Sequence, residues 1–348
     1  MKQTNKIAVI GKYTTANGVS SDGQAVKTNL IVREIEHALG ANSVRQVNTF
    51  GWKKHPLKLL VHSMLAVWQT DHVIFMTDEG GIKIFPWLLP VLNIFKRNPL
   101  HYVVVGGWLI HFVGRHRFIR GCLKKFDGIY VETSVMKREL EQLGFENVIL
   151  MPNFKRLKPV EHTQSTLSEP FRFCTFSRIM KEKGIDDAAE AVCAVNAHFG
   201  RSVCTLDIYG QVDPGQTQWF SDLQKTFPPE IRYGGVVDFD RSTEVLKDYF
   251  ALLLPTEFYT EGVPGTVIDA YAAGVPVIAA RWESFADVID EGVTGIGYPF
   301  GKQEQLKEIL IRLVEKPDLV SGMKANCAEK ASQYLPEQVM GILLSRLS

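Results

Sequence analysis

Residues 252–279, LLLPTEFYTEGVPGTVIDAYAAGVPVIA, decide how this chain is read. An apolar, strand-like run ends at Leu254. A loop holding Glu257 and Glu261 follows, then Val263-Pro264-Gly265-Thr266 and a helical pattern through Ala273. Gly274 stops that helix, and Pro276-Val277-Ile278 opens a second strand. Pro near a helix start and Gly just past its end are the expected punctuation. A helix N-terminus offers N–H groups and a positive dipole end to an anion. Gly265 has no side chain to hold that backbone away from a ligand. Glu261 stands on the loop and Asp269 one turn inside the helix, a spacing that lets both carboxylates face one cleft. The pattern suits a ligand with an anionic middle and hydroxyls at both ends. A nucleotide sugar fits, with diphosphate at the helix end, sugar on one carboxylate and ribose on the other.

Upstream, Phe171–Phe176 reads as a strand, followed by Ser177-Arg178, then Lys181-Glu182-Lys183-Gly184, then a helix over Ile185–Phe199. Arg178 and Lys183 flank a turn at a strand's carboxyl end, where cations clamp a diphosphate. The plainer alternative is a solvated turn. Leu206–Tyr209 is a further strand ending at Gly210, and Ile231–Tyr233 leads to Gly234-Gly235-Val236-Val237. Asp238-Phe239-Asp240 spells D-x-D, but it precedes a helix starting Arg241-Ser242-Thr243-Glu244. Asp240 or Ser242 is therefore expected as an N-cap. No metal site is expected, because Mg²⁺ needs more than this spacing. Downstream, Ala286–Ile289 and Gly292–Gly295 read as strand and turn, and helices are expected over 303–315, 318–332 and 337–347.

The first half repeats the same alternation. Lys6–Ile10 is a buried strand closing at Gly11, and an amphipathic helix runs over Gln24–Leu39. Strands are expected at 44–49, 72–76, 101–105, 127–131 and 147–151, and helices near 56–68, 81–95, 115–125 and 133–143. Strand–helix alternation means a parallel sheet covered on both faces, with ligands beyond the strands' carboxyl ends. The loop after the first strand lacks G-x-G-x-x-G, so a dinucleotide fingerprint is not supported. After Met151-Pro152-Asn153-Phe154 the run KRLKPVEHTQSTLSEP is polar and proline-bounded, which reads as an interdomain linker. The expected domains are 1–165 and 166–334, with a final helix over 335–348.

With these motifs in view, the chain resembles the retaining glycosyltransferases of family 4. Members carry a Glu, seven residues and a second Glu in this strand–loop–helix context. Here the second acid is Asp269, one methylene shorter. The S/G-R-x-x-x-x-K-G pattern is also present, in Arg178 and Lys183. The resemblance implies an α/β architecture of the GT-B type, two doubly wound Rossmann-like domains facing across a cleft, with the last helix returning to the first domain. It implies a hexosyltransferase of the EC 2.4 class that moves a sugar from a UDP- or GDP-sugar with retention, and no cofactor beyond that donor. By the same resemblance Glu261 holds donor-sugar hydroxyls and Asp269 the ribose. Arg178, Lys183 and the N–H groups of Gly265, Thr266 and Val267 meet the diphosphate. Val236 and Val237 flank the base, and Gly18 and Gly23 belong to a loop over the cleft. His111, after the Gly106-Gly107-Trp108 turn, contacts sugar or acceptor. A plain strand-to-helix turn remains the alternative for the Gly18–Gly23 loop, and a structural or solvated histidine for His111.

There are 348 residues, 45% hydrophobic and 22% charged, the composition of a globular chain of two-domain length. Net charge is +1 but unevenly spread: residues 1–165 hold 22 Lys+Arg against 12 Asp+Glu, and residues 166–348 hold 17 against 26. This asymmetry reads either as attraction between the domains or as a basic half that meets anionic lipid or a diphosphate-bearing acceptor. Ile82–Arg97 and Arg115–Lys125 mix cations with apolar residues, which suits an interfacial surface; a core helix with a solvated basic end is the alternative. The five cysteines show no metal or disulfide spacing, which points to a reducing cytoplasm. The start MKQTNKIAVIG is not a signal peptide, and no run reaches spanning length. The expected partners are a nucleotide sugar, a saccharide or lipid-linked acceptor and an anionic membrane at its inner face, with no nucleic acid. Three rivals stand beside this reading: a nucleotide-sugar epimerase of the same fold, a glycogen-phosphorylase-like enzyme, and a non-catalytic nucleotide-sugar-binding subunit.

Overall fold

The computed structural model describes residues 6–13, 23–157 and 167–347. Two compact units are present. The first runs to Asn153 and resumes at Pro336, and the second spans Phe154–Leu335.

The first unit alternates β1 (Ile7–Gly11), α1 (Gly23–Leu39), β2 (Val44–Asn48), α2 (Pro56–Gln69), β3 (His72–Met76), α3 (Phe85–Leu92) and β4 (Leu100–Val103). Then come α4 (Leu109–Arg115), α5 (Arg117–Leu123), β5 (Gly128–Val131), α6 (Ser134–Gln142) and β6 (Val148–Leu150). The six strands are parallel in the order β2-β1-β3-β4-β5-β6. Every residue of β1 is buried, because helices cover both faces of such a sheet and leave no polar side. Right-handed crossovers place α1 on one face and α2, α3, α4, α5 and α6 on the other. The helix expected near 115–125 is α5, and a further short helix, α4, precedes it; the two are separated at His116, where φ is −119° and ψ 76°.

The second unit follows the same plan: β7 (Phe171–Phe176), α7 (Ile185–Phe199), β8 (Cys204–Tyr209), α8 (Thr217–Gln224), β9 (Ile231–Gly235), α9 (Ser242–Leu246) and β10 (Ala251–Leu254). It continues with α10 (Gly265–Ala272), β11 (Val277–Arg281), α11 (Phe285–Val288), β12 (Gly295–Pro299), α12 (Glu304–Glu315) and α13 (Asp318–Ala331). The last helix, α14 (Pro336–Leu344), belongs to the first unit and packs on α1. The second sheet is parallel throughout, in the order β12-β11-β10-β7-β8-β9.

Two expectations are corrected here. Residues 286–288 are helical rather than extended, since an apolar run this short has no readable period. Phe154 and Lys155, at the head of the expected linker, are buried in the second unit, and the Lys155 N–H donates to the Tyr334 carbonyl at 3.0 Å. Among the described residues, no helix is long and apolar enough to cross a membrane.

Candidate functional site

The second sheet reverses its winding between β7 and β10. From β7 the chain moves outward through β8 and β9, and from β10 it moves the other way through β11 and β12. Loops leaving adjacent strands at such a point diverge to opposite faces and open a crevice. Here those loops are 177–184, after β7, and 255–264, after β10.

The two loops are in direct contact. The Glu257 N–H donates to the Glu182 carbonyl at 2.8 Å. Gly184, at φ +67°, lies so close to Pro255 that a Cβ there would stand 2.0 Å from the Pro255 carbonyl oxygen. Only glycine meets both demands, the left-handed backbone and the absent side chain. This closeness brings Lys183 and Glu261 together: the ammonium and carboxylate form an ion pair, and both side chains are largely buried. The Thr256 hydroxyl donates to the same Glu261 Oε1 at 3.2 Å. Lys183 Nζ also lies 4.8 Å from the centroid of the Phe258 ring.

Arg178 is exposed and leans the other way, its Nη1 3.5 Å from Asp213 Oδ2 in the loop after β8. Gly210 allows that neighbouring loop to approach, since a Cβ there would lie 1.7 Å from the Ser177 carbonyl oxygen. The α10 N-terminus completes the group. Its N-cap, Pro264, supplies no side-chain acceptor. The N–H groups of Gly265 and Thr266 therefore stand at the helix's open end. The Val267 N–H does not, because it donates to the Pro264 carbonyl at 3.0 Å. Thr266 Oγ1 is buried with no hydrogen-bond partner among the described residues.

Asp269 corrects the sequence reading. It is 4% exposed and points into the unit, where Lys155 Nζ sits 2.6 Å from Oδ1 and 2.5 Å from Oδ2. Burial pushes the Asp269 carboxyl up and the Lys155 ammonium down, and the contact between them opposes both shifts. Ser242 adds a side-chain hydrogen bond to Asp269, and the Phe239 ring lies 3.7 Å from Lys155 Nζ. The D-x-D segment thus roofs this pair. Neither Asp240 nor Ser242 is the N-cap of α9, which is Arg241 with no side-chain cap. The Ser242 hydroxyl lies between Asp269 and the Phe239 carbonyl, 3.2 Å from the latter. The ribose role expected of Asp269 has no exposed carboxylate to perform it.

The other expected residues are dispersed. Val236 is exposed and Val237 half-buried in the loop after β9, the edge strand of the second sheet. His111 is exposed in the first turn of α4, and Gly23 is the first residue of α1, both in the first unit. Gly18 lies outside the described residues. Sequence reasoning missed Lys155, Thr256 and Asp213. For Lys155 the one available signal was its place directly after the Pro152-Asn153-Phe154 run.

Two parallel sheets of six strands, each doubly wound, with a lysine, an arginine and an open helix N-terminus near the switch point of the second, set the architecture. The fold is GT-B. The chain superposes on the crystal structure of Anabaena Alr3699/HepE in complex with UDP and glucose with a TM-score of 0.75, over 98% of each chain at 15% identity. Residues 170–316, within the second unit, match the family described as glycosyl transferases group 1. The amylovoran biosynthesis glycosyltransferase AmsK of Erwinia amylovora is 22% identical over 193 residues, 53% of this chain and 47% of that protein. The α-monoglucosyldiacylglycerol synthase of Acholeplasma laidlawii is 25% identical over 166 residues, 46% of this chain and 39% of that protein. The matched region thus spans less than half the length of either curated relative.

Proposed function

We propose that this GT-B chain is a glycosyltransferase that moves a hexose from a nucleotide sugar to a saccharide or lipid-linked saccharide, with retention of configuration, at the inner face of a membrane. The observation that carries the reading is the meeting of Lys183 and Glu261 at the switch point, beside the open N-terminus of α10. In the resting chain each neutralises the other. A donor separates their tasks: the lysine turns to the diphosphate and the carboxylate to the sugar hydroxyls.

The chemistry follows from where charge develops. As the bond from the anomeric carbon to the diphosphate oxygen breaks, negative charge builds on that oxygen. The Gly265 and Thr266 N–H groups are fixed donors for that charge, and Lys183 and Arg178 join them once the donor draws them from Glu261 and Asp213. The acceptor oxygen bonds to the anomeric carbon on the face the diphosphate leaves, and its proton passes to the departing phosphate oxygen. Gly235, Val236 and Val237 take the base end of the donor. Lys155 and Asp269 anchor α10 beneath the site instead of touching the ribose. His111 remains the proposed contact to sugar or acceptor, and Gly18 and Gly23 remain proposed for the loop over the donor.

UDP complexes of the Anabaena protein support a uridine donor, and the lipid in the name of the Acholeplasma relative supports a lipid-bearing acceptor. Thermal stabilisation against a panel of UDP-, GDP- and ADP-sugars tests the donor, because specific binding raises stability. A selective rise with one UDP-sugar, together with sugar transfer lost in Glu261→Ala while the fold persists, is the expected result. Product formed with no acceptor would instead favour an epimerase. Binding without any transfer would favour a non-catalytic subunit.

A further inference from the structure

Three neighbouring helices of the first unit turn apolar side chains away from its sheet. α2, α3 and α5 lie on the same face, and α3 packs against both of the others. On α2 the side toward the core carries Ser63, Ala66 and Val67. At about 100° per residue, Leu57, Val61, Met64 and Trp68 gather on another side, with Leu60 at its border with the core face. All five are exposed, Leu57 by 76% and Trp68 by 52%. The stripe continues along α3 with Trp87 and Val91, and beyond its end to Phe95, which is 81% exposed. Phe118 on α5 is 69% exposed. A surface helix ordinarily shows water its polar face. Single exposed apolar residues need no explanation, but adjoining stripes on adjacent helices mark a surface that meets something apolar.

The charge around these stripes says what that is. Residues 51–126 hold 11 Lys+Arg and 3 Asp+Glu. The three acids, Asp71, Asp78 and Glu79, all lie outside the three helices. Exposed cations flank the stripes: Lys54 and Lys58 at the start of α2, Lys96 and Arg97 beyond α3, Arg117 and Lys124 at the ends of α5. A second copy packed here about a two-fold axis would set this basic rim against itself. A layer that is apolar within and anionic at its surface satisfies both features together.

We propose that the outer surface of α2, α3 and α5 docks this chain on an anionic lipid bilayer, with the apolar stripes at headgroup depth and the lysines and arginines on lipid phosphates. The assignment deepens the membrane location in the proposed function and rests on it. Its test uses no nucleotide sugar, so that failure of docking leaves the donor reading standing and the reverse.

The full chain is sedimented with vesicles of phosphatidylcholine alone and of phosphatidylcholine mixed with phosphatidylglycerol. Binding to the mixed vesicles only is expected. It weakens as salt rises from about 0.1 M to 1 M, where the Debye length contracts from about 10 Å to about 3 Å. Leu57→Ser with Trp68→Ser, and separately Phe95→Ser with Phe118→Ser, lower that binding on the order of tenfold, as removing buried apolar groups does. Because these side chains are exposed, both variants keep the parent melting temperature. Equal sedimentation with both vesicle types, or none with either, overturns the proposal, as does unchanged binding by both variants. So does a concentration-dependent dimer that the same substitutions dissolve, which would make this face a contact between copies.

Discussion

Two lysine–carboxylate pairs flank the same short helix of the second unit, and they are built for opposite ends. Lys155–Asp269 is sealed: Asp269 is 4% exposed, capped by Ser242 and roofed by Phe239. Lys183–Glu261 stands where two loops meet at the switch point and keeps contact with solvent. The first pair is almost wholly buried. The second is held by side chains that exchange partners at small cost. A motif of two acids at fixed spacing therefore does not imply two acids with one job; what packs on each decides.

The comparison breaks first on stability. Asp269→Ala strands a buried lysine and is expected to cost about 3–5 kcal/mol, whereas Glu261→Ala should cost less, because Lys183 keeps contact with solvent. Urea unfolding of both variants measures the contrast, and equal losses would erase it. Next comes activity. Lys183→Ala should raise the transfer barrier by about 2–4 kcal/mol, as loss of a fixed oxyanion donor does. Steady-state kinetics should show the loss in kcat at an unchanged melting temperature. A third variant sharpens the sealed side. Lys155→Met with Asp269→Leu replaces the pair with apolar volume, and its stability should return to the parent value or exceed it by about 1–4 kcal/mol. If the double variant is as unstable as Asp269→Ala, the pair does more than fill space.

The smallest effect concerns a carboxylate with no ion pair to hold it. Asp187 on α7 has a buried oxygen without a hydrogen-bond partner among the described residues. Its carboxyl is pushed up to about 6, first by burial and then by Asp186, Glu257 and Glu190. The folded chain keeps a proton there that the unfolded chain releases near pH 4. The stability it contributes is complete below that pH and is lost as pH rises through about 6. Asp187→Asn should therefore raise the melting temperature by a few degrees at neutral pH and leave it unchanged in acid. A rise of the same size in acid would mean that the effect is not ionisation.

Much of the fold was legible because its elements are strongly patterned. Phe171–Phe176 and Ile185–Phe199 were read to the residue, the first from a dense apolar run and the second from its period and the glycine after it. The misread segment, 286–288, is too short to show a period. At the site, the loop motif around Lys183 and Glu261 was visible because turn chemistry is local. Asp269 was not, because its neighbour Lys155 lies 114 residues away. Helical spacing tells which face a residue takes but not what covers that face. The outward apolar stripe of α2 escaped for the same reason: periodicity alone cannot separate a side chain turned to the core from one turned to water.

The pairing of β7 with β10 also bears on how the protein is made. Lys183 and Glu261 are 78 residues apart, and the strands that carry them become neighbours only when the later one inserts beside the earlier. A nascent chain that has just completed β9 holds half of the proposed phosphate grip and an unpaired strand edge on β7, the kind of edge that recruits other chains. Until roughly the end of α10 leaves the ribosome, the candidate site is incomplete and that edge stays open to aggregation.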